Sequence, residues 1–155
     1  MTDISAKRRL GIDVLTAARQ RISWTFDSFR KICVSFSGGK DSTAMLHLVL
    51  DEAILRKRRV SVLFIDWEAQ FKLTIDHVRE IYALYPDQID PWWIAVPLTT
   101  TNAVSQIEPE WTCWDPRKRE LWVRTPPTEA ITDGVRFPFW YPEVTFEEFV
   151  DEFGE

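Results

Sequence analysis

Cysteine and histidine are both scarce in this sequence, two of each in 155 residues. Cys33 and Cys113 lie far apart and form no C-x-x-C spacing, so a reduced, cytoplasmic protein is the simplest reading. His47 and His77 fall on different expected helices without metal-ligand spacing. No zinc, iron–sulfur or haem site is therefore expected, and structural roles are the ordinary reading of both histidines. Also missing is any apolar run of the ~18–20 residues that a membrane-spanning helix needs, so no membrane partner is expected. The start, "MTDISAKRRLGIDV", has basic residues with no apolar core after them, unlike a secretory leader. Positive charge is in deficit: a net charge of −5 and a pI near 5.1 argue against a surface that coats nucleic acid.

Aromatic residues, by contrast, are abundant, with eight Trp and ten Phe. Six of the Trp lie between 92 and 140. They fit a small aromatic core that holds down an irregular tail, an interface for a protein partner or a second copy, or a base-stacking surface. One basic run, Arg56-Lys57-Arg58-Arg59, suits the negative end of a helix dipole; a nucleic-acid patch is the other reading.

The spacing of Ile12, Leu15, Ile22, Phe26 and Phe29 predicts an amphipathic helix over 10–29. "KICVSF" (31–36) reads as a short buried strand, with Cys33 a core residue. A helix is expected from Ser42 to about Arg56, a strand over 60–65, a helix over 71–85 closed by Pro86, and a third strand over 92–98. A fourth strand is a candidate at "LWVRT" (121–125), and "TFEEFVDEF" suits a short helix capped by Thr145. The order β-α-β-α-β after a leading helix implies a parallel sheet with right-handed crossovers. The chain divides into a leading helix (1–30), an α/β core (31–125) and a proline- and aromatic-rich tail (126–155), all within one domain.

The most informative stretch is "VSFSGGKDSTAML", between the first strand and the helix after it. Ligands bind such folds at the carboxyl ends of the strands. Gly38 and Gly39 permit positive φ and close approach to a ligand, and the helix N-terminus behind them offers unpaired N–H groups to an anion. Ser37 and Ser42 add hydroxyls, and Lys40 a cation. This is not a Walker A loop, because the lysine is followed by Asp41 and the two glycines are adjacent.

Strand, S-G-G-K-D-S, helix resembles the signature of the PP-loop superfamily, the adenine nucleotide α-hydrolases. "SFSGGKDSTAMLHL" looks like the phosphoadenosine phosphosulfate (PAPS) reductase branch, and "FIDWEAQF" supplies the acidic residues, Asp66 and Glu68, that this branch has after its second strand. The W-E-A-Q variant, with "EWTCWDP" and "LWVRTPP", is closer to IbrA-type co-activator proteins. The resemblance spans roughly residues 10–125 and implies an α/β fold, a three-layer αβα arrangement around a parallel sheet. That fold would be truncated here, since fewer strands can be counted than the family has.

The same resemblance implies that Ser37, Gly38, Gly39, Lys40, Asp41 and Ser42 hold the phosphates of ATP or a PAPS-like nucleotide. Asp41 would cap the helix or help bind Mg²⁺. Adenine and ribose would meet the backbone around Ser35 and Phe36, the side chain of Phe64 or Trp67, and Asp66, which is also a Mg²⁺ candidate. Arg124 could hold a second phosphate or sulfate, or form a surface salt bridge. Superfamily chemistry divides into cleavage between α and β phosphates and sulfur-related group transfer. The family's C-terminal E-C-G-x-H cysteine motif is missing from "FEEFVDEFGE", so reduction of PAPS by that route is not expected. The IbrA-type likeness adds a catalytically silent alternative: a nucleotide-sensing subunit acting through a ParB-like protein, with nucleic acid reached only through that partner.

Overall fold

The computed structural model describes residues 11–154. The first ten residues of the expected leading segment, and with them the reading of the amino terminus, lie outside that range. Helix α1 (Val14–Ser28) starts where Asp13 Oδ1 accepts a hydrogen bond from Thr16 N at 2.9 Å. Its expected apolar face is only partly used. Phe26 is buried and Ile22 half-buried, while Ile12, Leu15 and Phe29 stay exposed, because α1 packs mainly on helix α2.

Strand β1 (Cys33–Ser35), helix α2 (Lys40–Arg56), strand β2 (Val60–Ile65), helix α3 (Lys72–Leu84) and strand β3 (Ile89–Ile94) form the core. The three strands pair in parallel in the order β1-β2-β3, with Ser35 opposite Leu63 and Leu63 opposite Trp92. Side chains alternate across a strand. Val34, Phe36, Val62, Phe64 and Trp93 therefore meet Leu46 and Leu50 of α2 and Val78 and Ile81 of α3 in one core. Leu63, Ile65 and Ile94 point the other way, into a second core with Trp114, Phe137 and Phe149. Helices on one face and the tail, with helix α4 (Phe146–Gly154), on the other give the expected α/β three-layer arrangement.

The expected third strand is two elements. β3 ends at Ile94, and after Pro97 the chain enters β4 (Leu98–Thr101), which pairs antiparallel with β5 (Glu110–Cys113). "LWVRT" is not a strand: Leu121 ends a 3₁₀ turn (Pro116–Leu121), and Val123 N donates to the Glu68 side chain at 3.2 Å instead of to a ladder. Cys33 is not a core residue either. It is exposed on the tail-side face of β1, where a groove of about 370 Å³ lined by Ser61, Trp92, Phe137 and Phe153 leaves the edge strand uncovered. Thr145 does cap α4, its Oγ1 accepting from Glu148 N while Glu148 Oε2 accepts from Thr145 N, a reciprocal capping box.

Trp93 and Trp114 are 2% exposed, and Trp92, Trp111, Trp122 and Trp140 pack against the second core, so the Trp-rich region builds an aromatic interior. The basic run is structural too. Arg56 bonds Asp27, Glu52 and Ser23; Arg58 donates to the carbonyls of Phe26, Phe29 and Arg30 at the end of α1; Arg59 reaches Asp90 and the carbonyl of Pro86. No helix among the described residues is long and apolar enough to cross a membrane.

Candidate functional site

Phe36 N still pairs with Leu63 O at 2.8 Å, after which the chain leaves the sheet at Ser37. Gly38 then takes φ +73°, and a Cβ there would stand 2.8 Å from Thr74 Cγ2 and 3.2 Å from Val78 Cγ2. Glycine is needed twice over, for the left-handed backbone and for the close passage against α3. Gly39 is the N-cap of α2 and has no side-chain cap, so Asp41 does not cap the helix as expected. It sits in the first turn with its carboxylate 3.0 Å from Lys40 Nζ, both side chains 90% exposed.

The first intrahelical bond runs from Thr43 N to Gly39 O at 2.9 Å. The N–H groups of Lys40, Asp41 and Ser42 precede it and have no protein partner among the described residues. Ser37 Oγ and Ser42 Oγ lie 2.9 Å apart beside them, and Gly39 N donates to Ser37 Oγ at 3.3 Å. Three open donors, the positive end of a 17-residue helix and two hydroxyls make an anion cradle.

Asp66, at the end of the neighbouring strand, behaves differently from Asp41. It is fully buried, with Oδ1 accepting from Glu68 N and from Arg124 Nη2, and Oδ2 from Trp93 Nε1 at 3.0 Å. Its carbonyl accepts from Trp114 Nε1. Glu68, 6% exposed, takes Trp114 N on one oxygen and Val123 N on the other. The expectation that Asp66 touches ribose or a metal does not match this geometry, since both of its oxygens face protein donors. Glu68 (φ +60°) and Trp114 (φ +54°) hold left-handed backbone at the two corners of the network, an arrangement that non-glycine residues keep only under strong local constraint.

Arg124, 22% exposed at its side chain, pairs with Asp66 through one nitrogen, and its guanidinium stands 5.0 Å from the centre of the Trp114 ring. Its Nε and Nη1 are buried without a partner among the described residues. Sequence reasoning named Asp66, Glu68 and Arg124 separately and quoted the stretch that holds Trp114, but missed that the four meet. The adenine candidates divide. Phe64 is 0% and Phe36 1% exposed, both inside the helix-side core, so the side chain of Phe64 cannot meet a base as it stands and only backbone is offered at Phe36. Ser35 is exposed at the end of β1, and Trp67 is half-buried against Trp111 and Phe146.

Mg²⁺ is commonly held by one or two carboxylates together with substrate phosphates. Asp41 fits such a role, being exposed beside the cradle and tied only by a weak surface ion pair. Asp66 does not fit it in this arrangement. Burial pushes the Cys113 thiol up to about 12; partial desolvation against the sheet also raises the Cys33 thiol, whose side chain stays accessible.

A family model described as the phosphoadenosine phosphosulfate reductase domain matches residues 31–127. The Escherichia coli (strain K12) protein described as "Uncharacterized protein YbdN" is 52% identical over 147 residues, which cover 94% of this chain and 36% of YbdN. The chain thus spans little more than a third of the length of that relative. No solved structure matches it. The matched segment runs from the first strand through the cradle, the buried acidic network and Arg124, and on that ground the chain belongs to the PAPS reductase domain family of the PP-loop superfamily.

Proposed function

We propose that this protein binds an adenine nucleotide, ATP or a PAPS-like sulfated nucleotide, with its phosphates in the Ser37–Ser42 cradle. The observation that carries the reading is the set of open N–H groups on Lys40, Asp41 and Ser42 between two serine hydroxyls. Arg124, with Nε and Nη1 buried and without partners among the described residues, supplies a donor pair for a second anionic group, phosphate or sulfate, on the same nucleotide. Asp41 brings Mg²⁺ to the bound phosphates. Turnover, in this reading, is cleavage between the α and β phosphates or a sulfur-related group transfer.

A second reading keeps the pocket without turnover: a nucleotide-sensing subunit of the IbrA type that acts through a ParB-like protein. The state of the thiols favours it, since Cys113 is buried with its sulfur 3.7 Å from Val96 O and Cys33 opens onto the tail-side groove. Calorimetry with ATP, ADP, AMP and PAPS on the wild type and on Gly39→Trp tests the shared claim. Wild type binds and the tryptophan, filling the cradle, abolishes binding; silence from every nucleotide at millimolar concentration refutes it. Release of pyrophosphate or sulfite then selects the first reading. Binding without release, together with co-purification of a ParB-like protein, selects the second.

A further inference from the structure

Thr43 Oγ1 stands 2.8 Å from Gly39 O and 2.9 Å from His77 Nε2. A hydroxyl carries one hydrogen, and a carbonyl oxygen can only accept. With the hydrogen of Thr43 given to Gly39, the contact with His77 is an Nε2–H donating to Thr43, the assignment that a ring tautomer with its proton on Nε2 requires. Gly39 O is the capping carbonyl of α2, and it also accepts from Thr43 N at 2.9 Å and Ser42 Oγ at 3.0 Å. His77 comes from the turn of α3 whose Thr74 and Val78 press on Gly38, and its ring lies 6.1 Å from that of Phe36 at the end of β1. One imidazole thus connects α3, the last residue before the loop and the first turn of α2.

We propose that His77 is a positioning residue for the anion cradle. Its Nε2–H fixes the Thr43 hydroxyl, which fixes the Gly39 carbonyl and so the direction of the Lys40, Asp41 and Ser42 N–H groups. Its effect on ligand affinity rests on the nucleotide reading above; its effect on the geometry of the loop does not.

Ring-nitrogen NMR of the wild type decides the first step: the proton is expected on Nε2, and an Nδ1–H tautomer with bare Nε2 overturns the proposal. His77→Gln keeps an N–H donor near that position and His77→Leu removes it, with folding of each checked by circular dichroism. With ATP as the titrant, His77→Leu binds about five- to tenfold more weakly, the worth of one ordinary hydrogen bond, and His77→Gln stays within about twofold. Combining Thr43→Val with His77→Leu adds no further loss beyond the worse single variant. A His77→Leu protein that loses stability yet binds like wild type also overturns it. Should wild type bind no nucleotide, the binding reading fails by itself. The amide resonances of Gly38–Ser42 then decide: His77→Leu moves them and His77→Gln restores them, and resonances left unmoved overturn the positioning role.

Discussion

Gly38→Ala is the sharpest probe of how the cradle is built. Alanine at φ +73° meets left-handed backbone strain of about 1–2 kcal/mol. Its Cβ also lands 2.8 Å from Thr74 Cγ2, a methyl on a β-branched side chain that has little rotamer freedom in a helix, and 3.2 Å from Val78 Cγ2. Overpacking of this kind costs about 1–3 kcal/mol, so the sum is roughly 2–5 kcal/mol. At a slope of about 2 kcal/mol per molar urea, the unfolding midpoint falls by about 1–2.5 M. Gly39→Ala is the control: its backbone is extended (φ −81°, ψ 163°), and a Cβ would meet only Ser37 Oγ at 3.4 Å. Only the cap preference is lost there, below about 1 kcal/mol. Adding Thr74→Ser to Gly38→Ala removes the clashing methyl, recovers roughly 1 kcal/mol and leaves the backbone strain. Equal midpoints for Gly38→Ala and Gly39→Ala would refute the claim that α3 dictates the path of the loop.

Asp66→Asn strips the charge facing the half-buried Arg124 cation and is expected to destabilise by about 3–5 kcal/mol, whereas exposed Asp41→Asn changes stability by less than about 0.5 kcal/mol; urea titration of both separates the roles. In a mildly alkaline disulfide-exchange assay, Cys33 reacts in the native protein and Cys113 only after denaturation, since burial keeps the latter a thiol up to about 12; two equally fast thiols contradict the packing of the second core. The hydrogen bonds from Arg117 hold the Asp115 carboxyl below its usual 3.8, so its contribution to stability is complete above that value and is lost as pH falls through the lower folded-state value. Asp115→Asn removes this part of the acid sensitivity, visible as a flatter dependence of the urea midpoint on pH.

The order of helices and strands to residue 94 was legible because its signals are local. Buried strands, glycines and a 3.6-residue period sit next to one another in the chain. The same logic recovered α4 with its Thr145 cap but failed at β4 and β5, which carry polar residues such as Thr99, Thr100 and Glu110 and are defined by pairing with each other. The arginine run failed for a related reason. Four adjacent cations look like a solvated helix end, yet apart from Glu52 the acceptors of the three arginines lie near 23–30 in α1 and its end and near 86–90 by the start of β3. A charge pattern records that cations are present; only the fold determines whether carbonyls or water satisfy them.

The cradle and the acidic network show the same division at the level of chemistry. Asp41 and Asp66 give one sequence signal, an acid just beyond the end of a strand. Among the described residues Asp41 has only its neighbour Lys40 as a partner, and it remains in water. Asp66 is met by Arg124, Trp93 and the backbone of Glu68, and is withdrawn into the interior. Burying that carboxylate without a cation would be prohibitive, so Asp66 and Arg124 must be placed together. Arg124 gives Asp66 one nitrogen and leaves Nε and Nη1 open among the described residues, which makes the buried acid the anchor of a cation and leaves Asp41 as the carboxylate able to meet a ligand. A nucleotide that engages the cradle at one end and Arg124 at the other would therefore satisfy donors that this fold leaves without partners.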